Sequence, residues 1–160
     1  MNKNNRPKKS SGARGPRADR AVRLFRQGFN CSQAVLAAYA PGLGLERKQA
    51  FRLAQSFGAG MARLGETCGA VTGALMVIGL KYGKVRPKDD TAKEHTYRLV
   101  REFTDRFRSK HGALGCRALL GHDIGTARGL KMIKQKGLHD NLCPKFIRTA
   151  VGLLEILLQG

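Results

Sequence analysis

The sequence predicts an all-α fold: a single helical domain of about five or six helices around a buried, glycine-rich central helix, behind a disordered basic tail. Three observations predict it. Apolar residues recur at the spacing of a helix face in segment after segment. Asn, Pro and Gly stand at the segment ends, where helices are capped and stopped. No stretch reads as a strand, and no internal repeat is present.

Residues 1–16 are Asn, Lys, Arg, Ser, Gly and Pro with almost nothing apolar. Such a segment cannot bury enough surface to offset its ordering entropy, so it reads as a disordered basic tail, with the helical domain over 17–160. From Arg17 the pattern turns helical, and Val22, Phe25 and Phe29 mark an apolar stripe. Asn30 and Gln33 then form a capping-box pattern that opens a second helix at Cys31. Cys31, Ala34, Val35 and Ala38 share a face of it, and Pro41 with Gly42 ends it. Residues 46–57 read as a third helix burying Ala50, Leu53, Ala54 and Phe57. Residues 58–65 hold three glycines and lack a preceding strand, which excludes a dinucleotide fingerprint and leaves a flexible, close-approach loop.

The chain is organised around the next stretch, residues 65–75. Cys68 falls in the first turn of an apolar helix running to about Tyr82 that carries Val71, Leu75, Met76, Ile78 and Leu80. A helix apolar on most sides is a buried one. A helix start exposes unpaired N–H groups and a partial positive charge, an environment that favours a cysteine thiolate. Gly69 and Gly73, four residues apart, share one face and clear space for a sulfur site or a neighbouring helix. Thr67 stands where a hydroxyl could donate to a sulfur or cap the helix.

Residues 91–110 read as a long amphipathic helix with Tyr97, Val100, Phe103 and Phe107 inward. Glu94–Arg98, Arg101–Asp105 and Glu102–Arg106 are its i,i+4 charge pairs. Cys116 begins a glycine-bounded segment of about one turn, and a short helix is expected around residues 126–136. Cys143-Pro144 reads as the cap and first residue of a last helix, since Pro favours the first helical position. Ile147, Ala150, Val151, Leu154 and Leu158 would be its buried face.

The 160 residues carry 30 Lys and Arg against 11 Asp and Glu, a net charge of +19. That excess favours anionic partners and says nothing of the fold. No signal peptide is visible, and the apolar runs at residues 69–80 and 151–158 are too short to span a membrane. The expected compartment is the cytoplasm, where thiols stay reduced, so the four cysteines read as metal or redox chemistry before disulfides. Three of them (Cys31, Cys68, Cys143) stand at expected helix starts, with Arg63, Arg117 and Lys145 as nearby basic residues. The set suits either a sulfur-ligated metal or iron–sulfur site or a reactive dithiol. No CxxC pair is present, so any shared site must be assembled by the tertiary fold. His122 and His139 stand near Cys116 and Cys143 as proton carriers or surface residues. Ser32 is a sulfur hydrogen-bond donor or a cap, and Glu66 an acid/base group or a first-turn acid.

The order Cys31, Cys68-Gly69-Ala70-Val71-Thr72-Gly73, Cys116, Cys143 resembles the C-GCAxxG-C-C family of redox-active proteins. The likeness covers residues 22–158. It includes the Gly-Phe-Asn-Cys-Ser-Gln start, the Phe-Gly-Ala-Gly-Met loop and the Cys-Arg-Ala-Leu-Leu-Gly segment. It implies a small all-helical redox domain related to the iron–sulfur domain of split-Soret cytochromes. A cluster, [2Fe–2S] by expectation, would take Cys31, Cys68, Cys116 and Cys143 as ligands, with Gly69, Gly73 and Thr67 around it. In thiol chemistry the same four cysteines would be the reactive groups. Without a C-x-x-C-H motif, no covalent haem is expected. Expected partners are a redox protein and a second copy of the chain. The alternative is a nucleic-acid-binding protein using the tail and basic helix faces, with affinity falling steeply in salt.

Overall fold

The computed structural model describes residues 17–159, so the basic tail expected over residues 1–16 lies outside the described residues. Among the described residues there are eight right-handed α-helices and no strand, two or three more helices than expected because short segments also wind up. Helix α1 is Arg17–Arg26, α2 is Cys31–Tyr39 and α3 is Arg47–Ala54. Helix α4 is Gly69–Tyr82 and α5 is Asp90–His111. Helix α6 is Cys116–Leu120, α7 is Ala127–Gln135 and α8 is Leu138–Leu157.

The capping box at the start of α2 forms as its residues dictate. The Asn30 side chain accepts from the Gln33 N–H at 3.0 Å, and the Gln33 side chain accepts from the Asn30 N–H at 3.0 Å. Gln33 Nε2 then donates to the Phe51 carbonyl and to Gln55 Oε1, each at 2.9 Å, fastening α3 alongside. Every residue of α2 is buried. Helix α4 is less enclosed than its composition suggests, with Leu75 and Met76 half-buried and Leu80 exposed, so the centre of the fold is the α2–α4 pair. Helices α1, α3, α5 and α8 pack around that pair.

Gly69 and Gly73 make the pair close. A Cβ on Gly73 would stand 2.8 Å from the Ser32 carbonyl oxygen, and one on Gly69 would stand 3.0 Å from the Cys31 Cβ. Helix α2 thus lies directly on the glycine face of α4, delivering Cys31 beside Cys68.

Several expected side-chain positions are corrected. Leu53 is 58% exposed and Tyr97 53% exposed. A helix turns about 100° per residue. The α3 face is set by Ala50 and Ala54, which leaves Leu53 at its margin. The α5 face is set by Leu99, Phe103 and Phe107, which puts Tyr97 about 120° round the helix from its centre. Leu158 ends half-buried at the C-cap of α8. Of the expected charge pairs Glu102–Arg106 forms at 2.6 Å, while Asp105 pairs with Arg108 at 3.0 Å and Glu94 with Lys93 at 3.7 Å. All three lie on the wet face, where the i,i+4 and i,i+3 pairs each contribute a few tenths of a kcal/mol.

The largest departure is α8. It begins at Leu138, after Gly137 at φ 61°, so Cys143 and Pro144 lie inside the helix and not at its start. Pro144 cannot donate the helical bond to the Asp140 carbonyl. Leu138 and Leu142, four residues apart and packed on the core, extend the apolar stripe upstream and outweigh that loss.

The glycine-rich segment between α3 and α4 is not a loose loop. Ala59, Gly60, Met61 and Ala62 have φ of 54°, 65°, 62° and 56°, and Arg63 follows at 70°, so the chain makes one left-handed turn over Gly58–Arg63. Left-handed backbone costs about 1–2 kcal/mol per residue that carries a Cβ. The turn is held by Glu66 N–H donating to the Gly60 carbonyl at 3.0 Å and by the Thr72 hydroxyl on the Phe57 carbonyl at 3.1 Å. Ala62 is exposed and makes no cavity contact. Ala62→Gly should therefore raise stability by roughly 0.5–1 kcal/mol, relief of strain outweighing the added chain entropy. Urea denaturation measures this, and a loss of stability would show that the turn is not strained at this position.

Candidate functional site

Four separate local structures bring the cysteines together. Cys31 opens α2 and Cys68 caps α4. Cys116 opens α6, behind Gly115, and Cys143 comes from the interior of α8. The segments holding Cys68 and Cys116 are fastened to one another by an antiparallel bridge between Thr67 and Gly115. In that bridge Cys68 N–H donates to the Leu114 carbonyl at 2.8 Å, and Cys116 N–H donates to the Glu66 carbonyl at 2.6 Å. Side chains alternate across an extended pair, so Cys68 and Cys116 point to the same side of it. The left-handed turn closes on the same place: a Cβ on Gly60 would stand 2.6 Å from the Cys116 Cβ.

All four thiols are buried and unpaired by disulfides, and all four line one cavity of about 50 Å³. That is room for one or two water-sized molecules. The remaining wall is nearly all apolar, with Phe25, Leu119, Leu120, Ile124 and Phe146 prominent. His139 completes the wall; its ring lies against Phe25 at a 35° tilt with centroids 4.7 Å apart, and its Nδ1 lies 3.0 Å from Asp140 Oδ1. His139 and Phe146 stand four residues before and three after Cys143 on α8, the spacing that puts them on the cysteine's face. That spacing is legible in the sequence once the helix is known to run through Pro144.

The electrostatics are dominated by burial. Burial pushes the Cys68 thiol up to about 12, although the N–H groups of Ala70 and Val71 at the start of α4 pull the other way. The helix start therefore favours the thiolate as expected, but the loss of water outweighs it. Burial also raises Cys116 to about 11. The neighbouring Cys143 side chain and then burial raise Cys31 well above the ordinary thiol value, and the same neighbour lowers Cys143. The basic residues expected to offset four sulfurs do not line the cavity. Arg117 instead pairs with Asp123 at 3.2 Å.

Gly69 lines the cavity, while Gly73 lies one turn further along against α2 and Thr67 stands in the bridge to Gly115. Glu66 is exposed and contributes its carbonyl. His122 is away from the cavity, 3.2 Å from Lys136 Nζ. Asn30, not Ser32, caps α2, and the buried Ser32 hydroxyl has no hydrogen-bond partner.

Among the described residues no three His, Cys, Asp or Glu side chains converge closely enough to grip a single metal ion. The sulfurs stand around the wall of a cavity and do not meet at one point. No helix of the described residues is long and apolar enough to cross a membrane.

A family model described as "Putative redox-active protein (C_GCAxxG_C_C)" matches residues 29–157, a span that contains all four cysteines. No curated protein and no solved structure matches the chain.

Proposed function

The chain belongs to this four-cysteine redox-active family, and from that premise we propose that it moves electrons at the cavity lined by Cys31, Cys68, Cys116 and Cys143. The observation that carries the reading is the convergence of four buried thiols, from four elements far apart in sequence, on one small apolar cavity. Unrelated core cysteines have no reason to share a wall.

The donor set fits an iron–sulfur cluster. Four soft sulfur donors in a water-poor enclosure are what such clusters take. Sulfurs spread around a wall suit a group of several atoms better than a lone ion. Cys31, Cys68, Cys116 and Cys143 would hold the cluster, which would supply a one-electron couple. The chain's own contribution would be threefold. The apolar wall keeps water out. The Ala70 and Val71 N–H groups at the start of α4 favour negative charge on Cys68. His139, on the wall yet exposed, can pass a proton between solvent and the sulfurs. Two-electron thiol–disulfide chemistry is the second reading, favoured by four thiols that share one cavity wall and are free of disulfides.

Anaerobic purification with iron, acid-labile sulfide and the visible spectrum measured together tests the reading. Iron with matching sulfide is expected, falling about tenfold or more in Cys68→Ser. Metal-free protein whose four thiols titrate freely and resist oxidation would sink both forms of the proposal.

A further inference from the structure

The groove between α1, the end of α2 and the start of α3 carries three arginines and no carboxylate. Its volume is about 310 Å³, at the lower end of the range of small-molecule pockets. Arg20 and Arg23 reach it from α1, where positions three and four apart share a face, and Arg47 reaches it from the first residue of α3. Leu24, Ala37 and Pro41 form its apolar wall. None of these residues lines the cysteine cavity, so the groove is a separate place on the molecule.

Two of the three guanidiniums are held in position by groups that leave their charge unbalanced. Arg20 donates to the Ala38 carbonyl at 3.3 Å, and Arg47 lies over the Phe51 ring, 5.4 Å from its centroid. Phe51 is itself stacked on Phe29 with centroids 3.9 Å apart. Among the described residues no carboxylate lies within ion-pairing distance of Arg20, Arg23 or Arg47. Glu46, beside Arg47 in the chain, does not line the groove, and Asp19, beside Arg20, is taken by Arg148 at 2.7 Å. Like charges gathered in one concavity focus a positive potential there, which an anion relieves.

We propose that this groove binds a phosphate monoester of about mononucleotide size, with the phosphate among the guanidiniums and the rest of the molecule on Leu24, Ala37 and Pro41. A guanidinium presents parallel N–H donors that match two oxygens of one phosphate. A phosphate monoester has three terminal oxygens and close to two negative charges, so it can engage more than one arginine. A carboxylate, with two oxygens and one charge, satisfies a single fork. Because Arg20 and Arg47 are already held, little side-chain freedom is lost on binding. Binding here is non-covalent and independent of the redox chemistry of the cysteines.

The test is isothermal titration calorimetry of the full-length chain at about 0.15 M salt, where exposed charges more than about 8 Å apart are largely screened. The probes are adenosine monophosphate and, separately, inorganic phosphate. The nucleotide should bind one to one, and more tightly than inorganic phosphate, because only the nucleotide has a body to lay on the apolar wall. Arg20→Gln/Arg47→Gln should weaken it by about tenfold or more. Arg23→Gln changes an exposed side chain and should weaken it with the urea midpoint unchanged, which separates lost binding from lost folding. Arg101→Gln/Lys131→Gln removes the same charge as the first double variant, from exposed positions on α5 and α7, and should bind like wild type. Equal weakening by both double variants would overturn the groove in favour of the overall positive charge. Failure of both probes to saturate at millimolar concentration would overturn the site altogether. Inorganic phosphate binding as tightly as the nucleotide would overturn the role of the apolar wall. A single-stranded oligonucleotide that binds far more tightly than adenosine monophosphate, and loses that affinity in Arg20→Gln/Arg47→Gln, would overturn the small-molecule ligand and reassign the groove to nucleic acid.

Discussion

Gly73→Ala will destabilise the protein by about 2 kcal/mol, although Gly→Ala inside a helix ordinarily stabilises by close to 1 kcal/mol. The sign is set by what the new methyl meets. At Gly73 a Cβ would lie 2.8 Å from the Ser32 carbonyl oxygen, 3.0 Å from the Val35 Cβ and 3.1 Å from the Ser32 Cα. Two of those three atoms are main chain of α2, every residue of which is buried, so the neighbour cannot yield without moving a whole helix. Overpacking of that kind costs about 1–3 kcal/mol after relaxation. The relaxation available is separation of α2 from α4, and α2 carries Cys31 away from Cys68 as it goes. Iron uptake at the proposed cluster site should therefore fall along with stability. Gly79 on the same helix is the control: nothing lies within 4 Å of a Cβ there, so Gly79→Ala should gain up to about 1 kcal/mol. Urea midpoints of the two variants measured side by side decide the matter. If Gly73→Ala is as stable as Gly79→Ala, the close approach of α2 and α4 is wrong.

Gly60→Ala should be costlier, about 3 kcal/mol, because two independent penalties meet at one residue. Its backbone is left-handed at φ 65°, and its Cβ would overlap the Cys116 Cβ at 2.6 Å while pressing on the Glu66 nitrogen at 3.1 Å. The Glu66 segment is the one that fixes Cys116 through its carbonyl, so the substitution pushes this sulfur outward from two sides. Cys116 should become the most rapidly alkylated of the four thiols, and iron uptake at the proposed cluster site should drop. Peptide-resolved alkylation rates against wild type provide the check; an unchanged ranking of the four cysteines would count against the left-handed turn as the back wall of the site.

Those two glycines also show what could and could not be read from the sequence. Gly73 was legible: a glycine four residues after Gly69 on an apolar helix announces close packing, though not which helix comes close. The Asn30–Gln33 box at Cys31 was equally plain, because capping is decided by residues within one turn. Cys116 at the head of a short helix followed from its flanking glycines. Gly60 was not legible, because a left-handed turn through Ala59, Met61, Ala62 and Arg63 contradicts the local preference of four residues out of five and exists only because tertiary contacts over-determine it. The start of α8 was misread for a related reason. Pro144 carries the strongest local signal in its segment, and the burial of Leu138 and Leu142 overrules it. The mutual approach of the four sulfurs had no local signature, since gaps of 37, 48 and 27 residues can be closed only by the fold.

That last geometry bears on turnover in the cell. The cavity wall draws on α2, α4, α6 and α8, so an unfolded chain has no version of it to offer. Any group held there binds the native state alone and stabilises it by mass action, about 2.7 kcal/mol at a hundredfold excess over the dissociation constant. Opening of α8 is enough to dissolve the wall, and proteases act on the open population. The half-life of the chain would then follow the supply of whatever fills the cavity, with unfilled molecules cleared first.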